Sequence, residues 1–542
     1  MPDAVVIGAG PNGLVAANRL ADAGWSVRVL EEQPEPGGAV RSGELVEPGF
    51  TSDLFSAFYP LAAASPAIAR LELERHGLRW ARSRTAVAHP APDGTCATIS
   101  TDLEETVGSL ERFATGDGEA WRRLYALWER VGGHVLAMLT SPLPPVRPAA
   151  RIATSLPPAQ LMRLARMGAL GVRRLADETF TGPAGGRLLA GNALHADLMP
   201  EVAPSAVYGW VLCSLAQQVG FPVSEGGSGR LTDALIGRLR SRGGEVACGS
   251  RVTRVLVERG RAVGVEIRGG ELVTARRAVL ADVDAPQLYR DLVPEQAVGE
   301  RVLDDIGRFQ FDNATVKVDW TLDGPIPWSS PEARDAATIH VAEDMELLTR
   351  HAAELVTGRI PAEPYLVLGQ YSPVDPTRMP AGKEVAWAYT HVPHEIRGDA
   401  GPDGLEGRWD ERETEAIAGR IEDQVERLAP GFRSLIRARH VFTPPSLEAT
   451  NRNLRNGALN GGTAQLHQQL VFRPIPGLGR PETPVRRLYL CSASIHPGGG
   501  VHGGCGEAAA RAALVRERAR RTAIAVGGAA AAAAVAAARR RG

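Results

Sequence analysis

Apolar residues open this chain as a solid block, spread to helical spacing, then close up again. Ala4, Val5, Val6 and Ile7 are consecutive, the pattern of a strand buried on both faces. Leu14, Ala17, Leu20 and Ala21 fall three and four apart, so a helix with one buried face follows, and Gly24 is placed to end it. Val27, Val29 and Leu30 predict a second strand, with Glu31 at its C-terminal end.

Farther on, residues 76–222 read as mostly helical, with amphipathic spacing over 104–113 and 119–139. Residues 142–158 are Pro-rich and predict a break. Residues 160–175 read as one helix, with Leu161, Leu164, Gly168, Val172 and Leu175 on one side and Arg163, Arg166, Arg173 and Arg174 elsewhere. Such a basic amphipathic helix either touches a membrane or packs within a cap over the substrate. Leu231, Leu235 and Leu239 predict a helix ended by Gly243 and Gly244. Residues 245–248 and 278–281 read as strands, and 251–257 with 262–267 as a hairpin. Strands are also expected over 314–320, 365–371 and 384–392, the last two joined antiparallel, and a helix over 409–428. Residues 488–514 repeat the opening order: strand, Gly-rich turn, Ala-rich helix.

The opening pattern carries chemistry. Gly8, Gly10 and Gly13 stand in a G-x-G-x-x-G turn between strand and helix, with Pro11 and Asn12 inside it. Gly8 makes the tight turn, Gly10 lets a pyrophosphate approach the backbone, and Gly13 lets the helix pack on the sheet. The helix N-terminus offers unpaired N–H groups and partial positive charge to phosphates. Glu31 is placed to accept from the ribose hydroxyls, which disfavours a 2′-phosphate and hence NADP. Gly37 and Gly38 suit a second close approach of backbone to ligand, and Arg41 faces either a phosphate, a flavin edge or solvent. Residues 48–56 read as an apolar and aromatic loop beside that ligand.

On these motifs the sequence resembles the phytoene-desaturase-like FAD-dependent oxidoreductases. Within them it is most similar to the phytoene dehydrogenase-related branch, the one like pyridine nucleotide-disulphide oxidoreductase domain-containing protein 2. The resemblance covers most of the chain. It implies an α/β fold: a discontinuous, glutathione-reductase-like Rossmann-type FAD-binding domain with an inserted α+β substrate domain. Residues 1–75, 225–290 and 481–520 are assigned to the first, 76–224 and 291–480 to the second, and 521–542 to an Ala/Arg-rich tail. The resemblance further implies that the backbone of Val252 holds the adenine. It also implies that the turn with Ser492, Gly499, Gly500, Val501 and Gly504 meets the flavin ring and ribityl chain. Many flavoproteins carry an acid where Ser492 stands. Related amine oxidases place arginine directly after the double glycine, whereas Ala39 and Val40 precede Arg41 here, so the role of Arg41 stays open. The segment 461–474 is implied to enter the active site. His467, Gln468 and His502 are the candidates for catalysis, and no acid or base is assigned. Cys505 and His502 lie close enough to raise covalent flavin attachment.

Composition narrows the remainder. With 61 basic and 62 acidic residues among 542, no global field would draw nucleic acid. Five scattered cysteines form no C-x-x-C pair, so neither a metal site nor a redox disulfide is signalled, and a reducing cytoplasm is expected. The first strand begins at the N-terminus, leaving no room for a signal peptide. Residues 522–538 are uncharged and mostly alanine, and they predict a surface helix with at most peripheral contact to anionic lipid. No second dinucleotide motif is present, so dioxygen or a quinone is the expected electron acceptor. The favoured function is dehydrogenation of a small, apolar, isoprenoid- or lipid-like substrate by hydride transfer to FAD. An amine or amino-acid oxidase, or a flavin-binding interaction protein without turnover, are the alternatives. The oligomeric state is not read from the sequence.

Overall fold

The computed structural model of the chain describes residues 1–141 and 143–539, with side chains to residue 523. Five parallel strands form the first sheet, in the order Leu488–Leu490, Ala278–Ala281, Ala4–Ile7, Val27–Leu30, Glu245–Ala247. The opening strand is central, with Val5 facing Val279 on one side and Arg28 on the other. Its four residues are all buried, which is why they read as an unbroken apolar run.

Helix Pro11–Asp22 leaves the sheet directly after the first strand, and helix Gly504–Arg539 follows the last. Leu14, Ala17 and Leu20 of one pack with Ala509, Ala510 and Ala513 of the other in one cluster. The approach is close: a Cβ on Gly506 would lie 2.0 Å from the carbonyl oxygen of Asn12. Small residues in the second helix are therefore a packing requirement. The tail reading for residues 521–542 falls mostly beyond the described side chains.

A seven-stranded sheet forms the second layer, in the order Ile436–Phe442, Ala314–Leu322, Glu384–Val392, Leu366–Gln370, Ala336–Val341, Thr85–Pro90, Cys96–Ser100. All its neighbours are antiparallel except Ala336–Val341 with Thr85–Pro90. Val316, Val318, Trp320, Ile339 and Ala388 pack on one face with Ile417, Ile421 and Val425 of helix Glu411–Leu428. By strand alternation Thr315, Lys317, Thr338, His340, Trp387 and Tyr389 look the other way. Helices between Leu103 and Val219 cover that face.

The predicted strands over 314–320, 365–371 and 384–392 and the helices at 104–113, 119–139 and 409–428 are present within a few residues. Three local readings are corrected. The stretch 76–222 is not purely helical, because Thr85–Pro90 and Cys96–Ser100 form a hairpin across Pro92-Asp93-Gly94, with Gly94 at φ +82°. The Pro-rich region contains helix Val146–Ser155, whose Pro148 sits in the first turn, where its missing N–H costs nothing. Residues 160–175 divide into Pro158–Met167 and the start of Val172–Thr179. Gly171 lies between them, and a Cβ there would meet the carbonyl oxygen of Pro200 at 2.7 Å.

Candidate functional site

The first Gly-rich turn is tightly specified. Gly8 has φ +90°, and its N–H donates to the carbonyl oxygen of Leu30 at 2.8 Å. A Cβ on Gly13 would fall 2.3 Å from the Gly8 carbonyl oxygen, and one on Gly38 would fall 3.0 Å from Gly10 Cα. The double glycine thus lies against the turn. Glu31 is buried, and its carboxylate accepts from the N–H groups of Ala9 at 2.8 Å and Gln33 at 2.9 Å. Burial raises its pKa, and the two backbone bonds pull it back. The N–H of Ser250 donates to the Glu31 carbonyl oxygen at 2.7 Å, and Val252 packs with Leu30 just beyond. Pro11 occupies the first helical position, and the side-chain oxygen of Asn12 is buried without a partner among the described residues. Arg41 is no free surface arginine. Its guanidinium donates to the carbonyl oxygens of Gly38 at 3.1 Å and Thr450 at 3.2 Å and lies over the Phe55 ring.

The second turn faces the first across a cavity of about 820 Å³. Gly10, Pro11, Asn12, Gly38, Ser492, Gly499, Gly500, Val501 and His502 line it, while Gly504 does not. The Gly504 N–H donates to His502 Nδ1 at 2.9 Å, so His502 carries its proton on Nε2, 3.2 Å from the Gly498 carbonyl oxygen. Both ring nitrogens are engaged with backbone, and burial pushes the imidazole down to about 4. His502 is therefore a neutral imidazole with both nitrogens held by the backbone of its own turn. Cys505 is fully buried outside the cavity lining, and burial pushes its thiol up to about 12, far from a reactive thiolate.

His467 stands on the surface, with Nε2 3.1 Å from Gln310 Oε1, and Gln468 is bound to the Gln310 backbone. Neither lines the cavity, although Leu466, Gln469 and Leu470 of the same segment do. Phe55 and Ser56 of the expected aromatic loop also line it.

Among the lining residues that went unread in the sequence are His496 and Lys317. His496 is buried, and neither ring nitrogen has a partner among the described residues. Lys317 projects from the seven-stranded sheet and donates to both carboxylate oxygens of Asp319 and to the Asp53 carbonyl oxygen. Burial pushes Asp319 up to about 6 in spite of Lys317. A lysine and an aspartate on the polar register of an otherwise apolar strand were the available signal.

Away from the two turns the walls are apolar, with Phe58, Leu136, Leu139, Leu161, Val207 and Phe221 among them. Both turns thus line one end of a chamber that turns greasy beyond them, the first with Pro11 and Asn12 of its helix N-terminus. The residues at this end suit FAD: a glycine cradle that admits a pyrophosphate and the unpartnered Asn12 oxygen, with Glu31 buried behind the turn.

Residues 12–515 match the family of flavin-containing amine oxidoreductases. The chain belongs to that family. It is an FAD-dependent oxidoreductase with a Rossmann-type cofactor fold. It is 29% identical to pyridine nucleotide-disulfide oxidoreductase domain-containing protein 2 of Mus musculus, over 94% of this chain and 92% of that one. It is 26% identical to the lycopene-forming phytoene desaturase of Pseudescherichia vulneris, over 95% and 99%. The family resemblance read from the motifs is thereby borne out. Wild-type putrescine oxidase shares the fold at 16% identity and a TM-score of 0.59, over 95% of this chain and 99% of that one. No helix among the described residues is long and apolar enough to cross a membrane.

Proposed function

We propose that this flavoenzyme dehydrogenates an apolar, isoprenoid- or lipid-like molecule held in the apolar part of the 820 Å³ chamber, beyond the end that the cofactor fills. The observation that carries this reading is the chamber wall. A protonated amine buried there would need a partner for its charge, and a free carboxylate is the strongest. The two carboxylates lining the chamber are engaged: Asp282 accepts from the Gly13 N–H, and Asp284 is held by Arg455 and the Gln287 N–H. The apolar length of chamber beyond the two turns, lined by Ile152, Leu161 and Phe221, speaks against a flavin-binding interaction protein without turnover. The similarity to the lycopene-forming phytoene desaturase supports the same class.

Bound FAD supplies the two-electron oxidant. The chain's part is to hold it. We assign the pyrophosphate to Gly8, Gly10, Pro11, Asn12 and Gly13, and the ribose to Glu31. Gly37, Gly38 and Arg41 close the near side, the backbone of Val252 meets the adenine, and Ser492, Gly499, Gly500, Val501 and Gly504 frame the other end. Residues 1–75, 225–290 and 481–520 then form the cofactor unit, and 76–224 with 291–480 the substrate unit. The apolar walls exclude water from the reacting carbon and orient the substrate by shape. Dioxygen or a quinone is the acceptor.

The chamber opens toward an apolar edge. Leu466, Leu470, Val471 and Phe472 are exposed within seven residues, and Leu466 and Leu470 also line the chamber. Exposed Val146 and Met162 stand on helices whose inner residues Ile152, Leu161 and Leu164 line it too, with Arg147, Arg151 and Arg163 exposed beside them. This edge supports peripheral contact with an anionic membrane where such substrates dissolve. The five unpaired cysteines support a reducing, cytoplasmic setting.

Anaerobic mixing of the FAD-loaded protein with panels of isoprenoids, acyl lipids and amines tests the reading through bleaching of the flavin band. Bleaching by a lipid or isoprenoid is expected. Bleaching by amines alone would overturn it.

A further inference from the structure

His195 lines the chamber, half-buried, immediately after helix Ala184–Leu194. Its Nε2 lies 2.8 Å from Nε2 of His340 on strand Ala336–Val341. Thr338 stands two residues before His340 on the same strand face, and it lines the chamber as well. The Thr338 hydroxyl is fully buried and has no partner among the described residues. An otherwise apolar wall thus carries a threonine and a histidine whose polar atoms are not all spent on the protein.

The hydrogen-bond network assigns the protons. Two imidazole nitrogens 2.8 Å apart share one proton, so one ring donates and the other accepts. His340 Nδ1 has no partner among the described residues, and a Cβ on Gly191 would lie 2.2 Å from it. The glycine backbone closes that side of the ring. A proton there would be a buried, orphaned N–H, the rarest kind of unsatisfied group. The His340 proton therefore sits on Nε2 and is donated to His195. His195 in turn carries its proton on Nδ1, the nitrogen that His340 leaves free. Burial holds both rings neutral: His195 is pushed down to about 4, and His340 lies well below the usual imidazole range. His89 packs edge-on against His340 with its own Nε2 at the Ala342 carbonyl oxygen, 3.0 Å away, so the pair is braced from behind.

We propose that His195 and Thr338 form a binding site for a substrate oxygen, so that the chamber takes an isoprenoid or acyl lipid bearing a carbonyl or hydroxyl group rather than a pure hydrocarbon. This rests on the reading of the chamber as the seat of an apolar substrate. A hydrocarbon would strip water from the His195 N–H and the Thr338 hydroxyl and return nothing. Sites built to pair a polar group reject the analogue that lacks it. His340 acts here as a positioning residue, because it fixes which nitrogen of His195 carries the proton.

The test uses the full-length, FAD-loaded protein and three probes matched in carbon number: farnesene, farnesol and farnesal. Binding is followed by perturbation of the flavin absorbance and by quenching of tryptophan, since Trp210 and Trp387 line the chamber. Farnesol and farnesal are expected to bind about tenfold more tightly than farnesene. In Thr338→Val and His340→Phe the affinity for farnesene should hold while the preference for the oxygenated probes falls toward unity. Thr338→Val is nearly isosteric, so it carries the test alone if His340→Phe does not fold. Equal binding of all three probes by the unsubstituted protein, or an unchanged preference in Thr338→Val, overturns the oxygen site and leaves the apolar chamber standing. Failure of all three to bind overturns the chamber reading, and the oxygen site with it.

Discussion

The backbone N–H of Gly13 donates to Oδ2 of Asp282 at 2.8 Å, tying the first helix to the end of a neighbouring strand inside the phosphate turn. A Cβ on Gly10 would meet that same oxygen at 2.7 Å. Burial pushes the carboxyl from its ordinary 3.8 up to about 7, against the pull of the Gly13 bond, and Glu31 is the charged neighbour that raises it further. A pyrophosphate at this turn adds negative charge and favours the neutral acid. FAD should therefore bind more weakly as pH rises through about 7, by up to about tenfold per unit. In the chain without cofactor, the raised pKa means stability that is fully present below 3.8 and lost as pH climbs to about 7. Asp282→Asn keeps an acceptor for Gly13 and should abolish both dependences. Fluorescence titration of FAD across this range decides the point, and parallel profiles for the two proteins would refute it.

The first Gly-rich turn was legible because everything it needs is local. Gly8, Gly10 and Gly13 stand between a strand and a helix whose periods differ, and Glu31 follows within one more strand. The cavity was not legible. Its walls come from segments as far apart as Phe55, Val135, Thr315 and Ser492. His195 and His340 meet across 145 residues. Neither carries a local signal, since a single histidine after a helix and another within a strand both read as ordinary core. Lys317 was nearer to being readable, because a strand alternating Val316, Val318, Trp320 with Thr315, Lys317, Asp319 announces a polar face. Only the tertiary structure shows that this face is buried against a chamber rather than turned to water. The hairpin over residues 85–100 was hidden by alanine, a weak strand former, despite a clear turn at Pro92-Asp93-Gly94.

Arg473 is fully buried, and its guanidinium donates only to backbone carbonyls: Asn460 at 2.9 Å, Gly462 at 3.2 Å, Thr463 at 2.8 Å and Ala493 at 2.7 Å. It joins the 460–463 loop to the second cofactor turn. A lysine cannot span these acceptors, so Arg473→Lys should leave several buried carbonyls unpaired. A loss of about 3 kcal/mol is expected, together with release of FAD on gentle heating. A thermal melt matching that of the unsubstituted protein, with full flavin content, would show that the fork is dispensable.

Leu470 and Phe472 are each 44% exposed, so their replacement should leave folding intact. Leu470→Asp with Phe472→Asp removes two side chains from the proposed membrane edge and adds charge. Sedimentation with vesicles of phosphatidylglycerol and phosphatidylcholine should fall about a hundredfold in partition coefficient, given about 1.5 kcal/mol or more per apolar side chain buried. Equal partitioning of the two proteins would place the contact elsewhere.

The electron acceptor is the remaining assignment that the architecture bears on. Among the described residues one parallel sheet exceeds two strands, and it is the sheet that carries both Gly-rich turns. The Gly226-Gly-Ser-Gly229 stretch opens helix Gly229–Ser241, but Gly227 is packed against Ser42, where a Cβ would lie 2.3 Å from the hydroxyl oxygen. It leaves no cradle for a second pyrophosphate. Cys491 and Cys505 are both buried, unpaired and raised far above thiolate range, so no thiol relay serves the cofactor. A nicotinamide would have to enter through the apolar chamber, which holds no free cation for its phosphates among the described residues, because Lys317 is spent on Asp319. NADH and NADPH should therefore bleach the bound flavin at least about a hundredfold more slowly than a chamber substrate does, a difference of roughly 3 kcal/mol in barrier. After chemical bleaching with dithionite, air or a soluble quinone should restore the yellow colour. Anaerobic stopped-flow absorbance reads both. Rapid bleaching by either nicotinamide would mean that the chamber admits a charged dinucleotide, and the apolar-substrate reading would fall together with the acceptor.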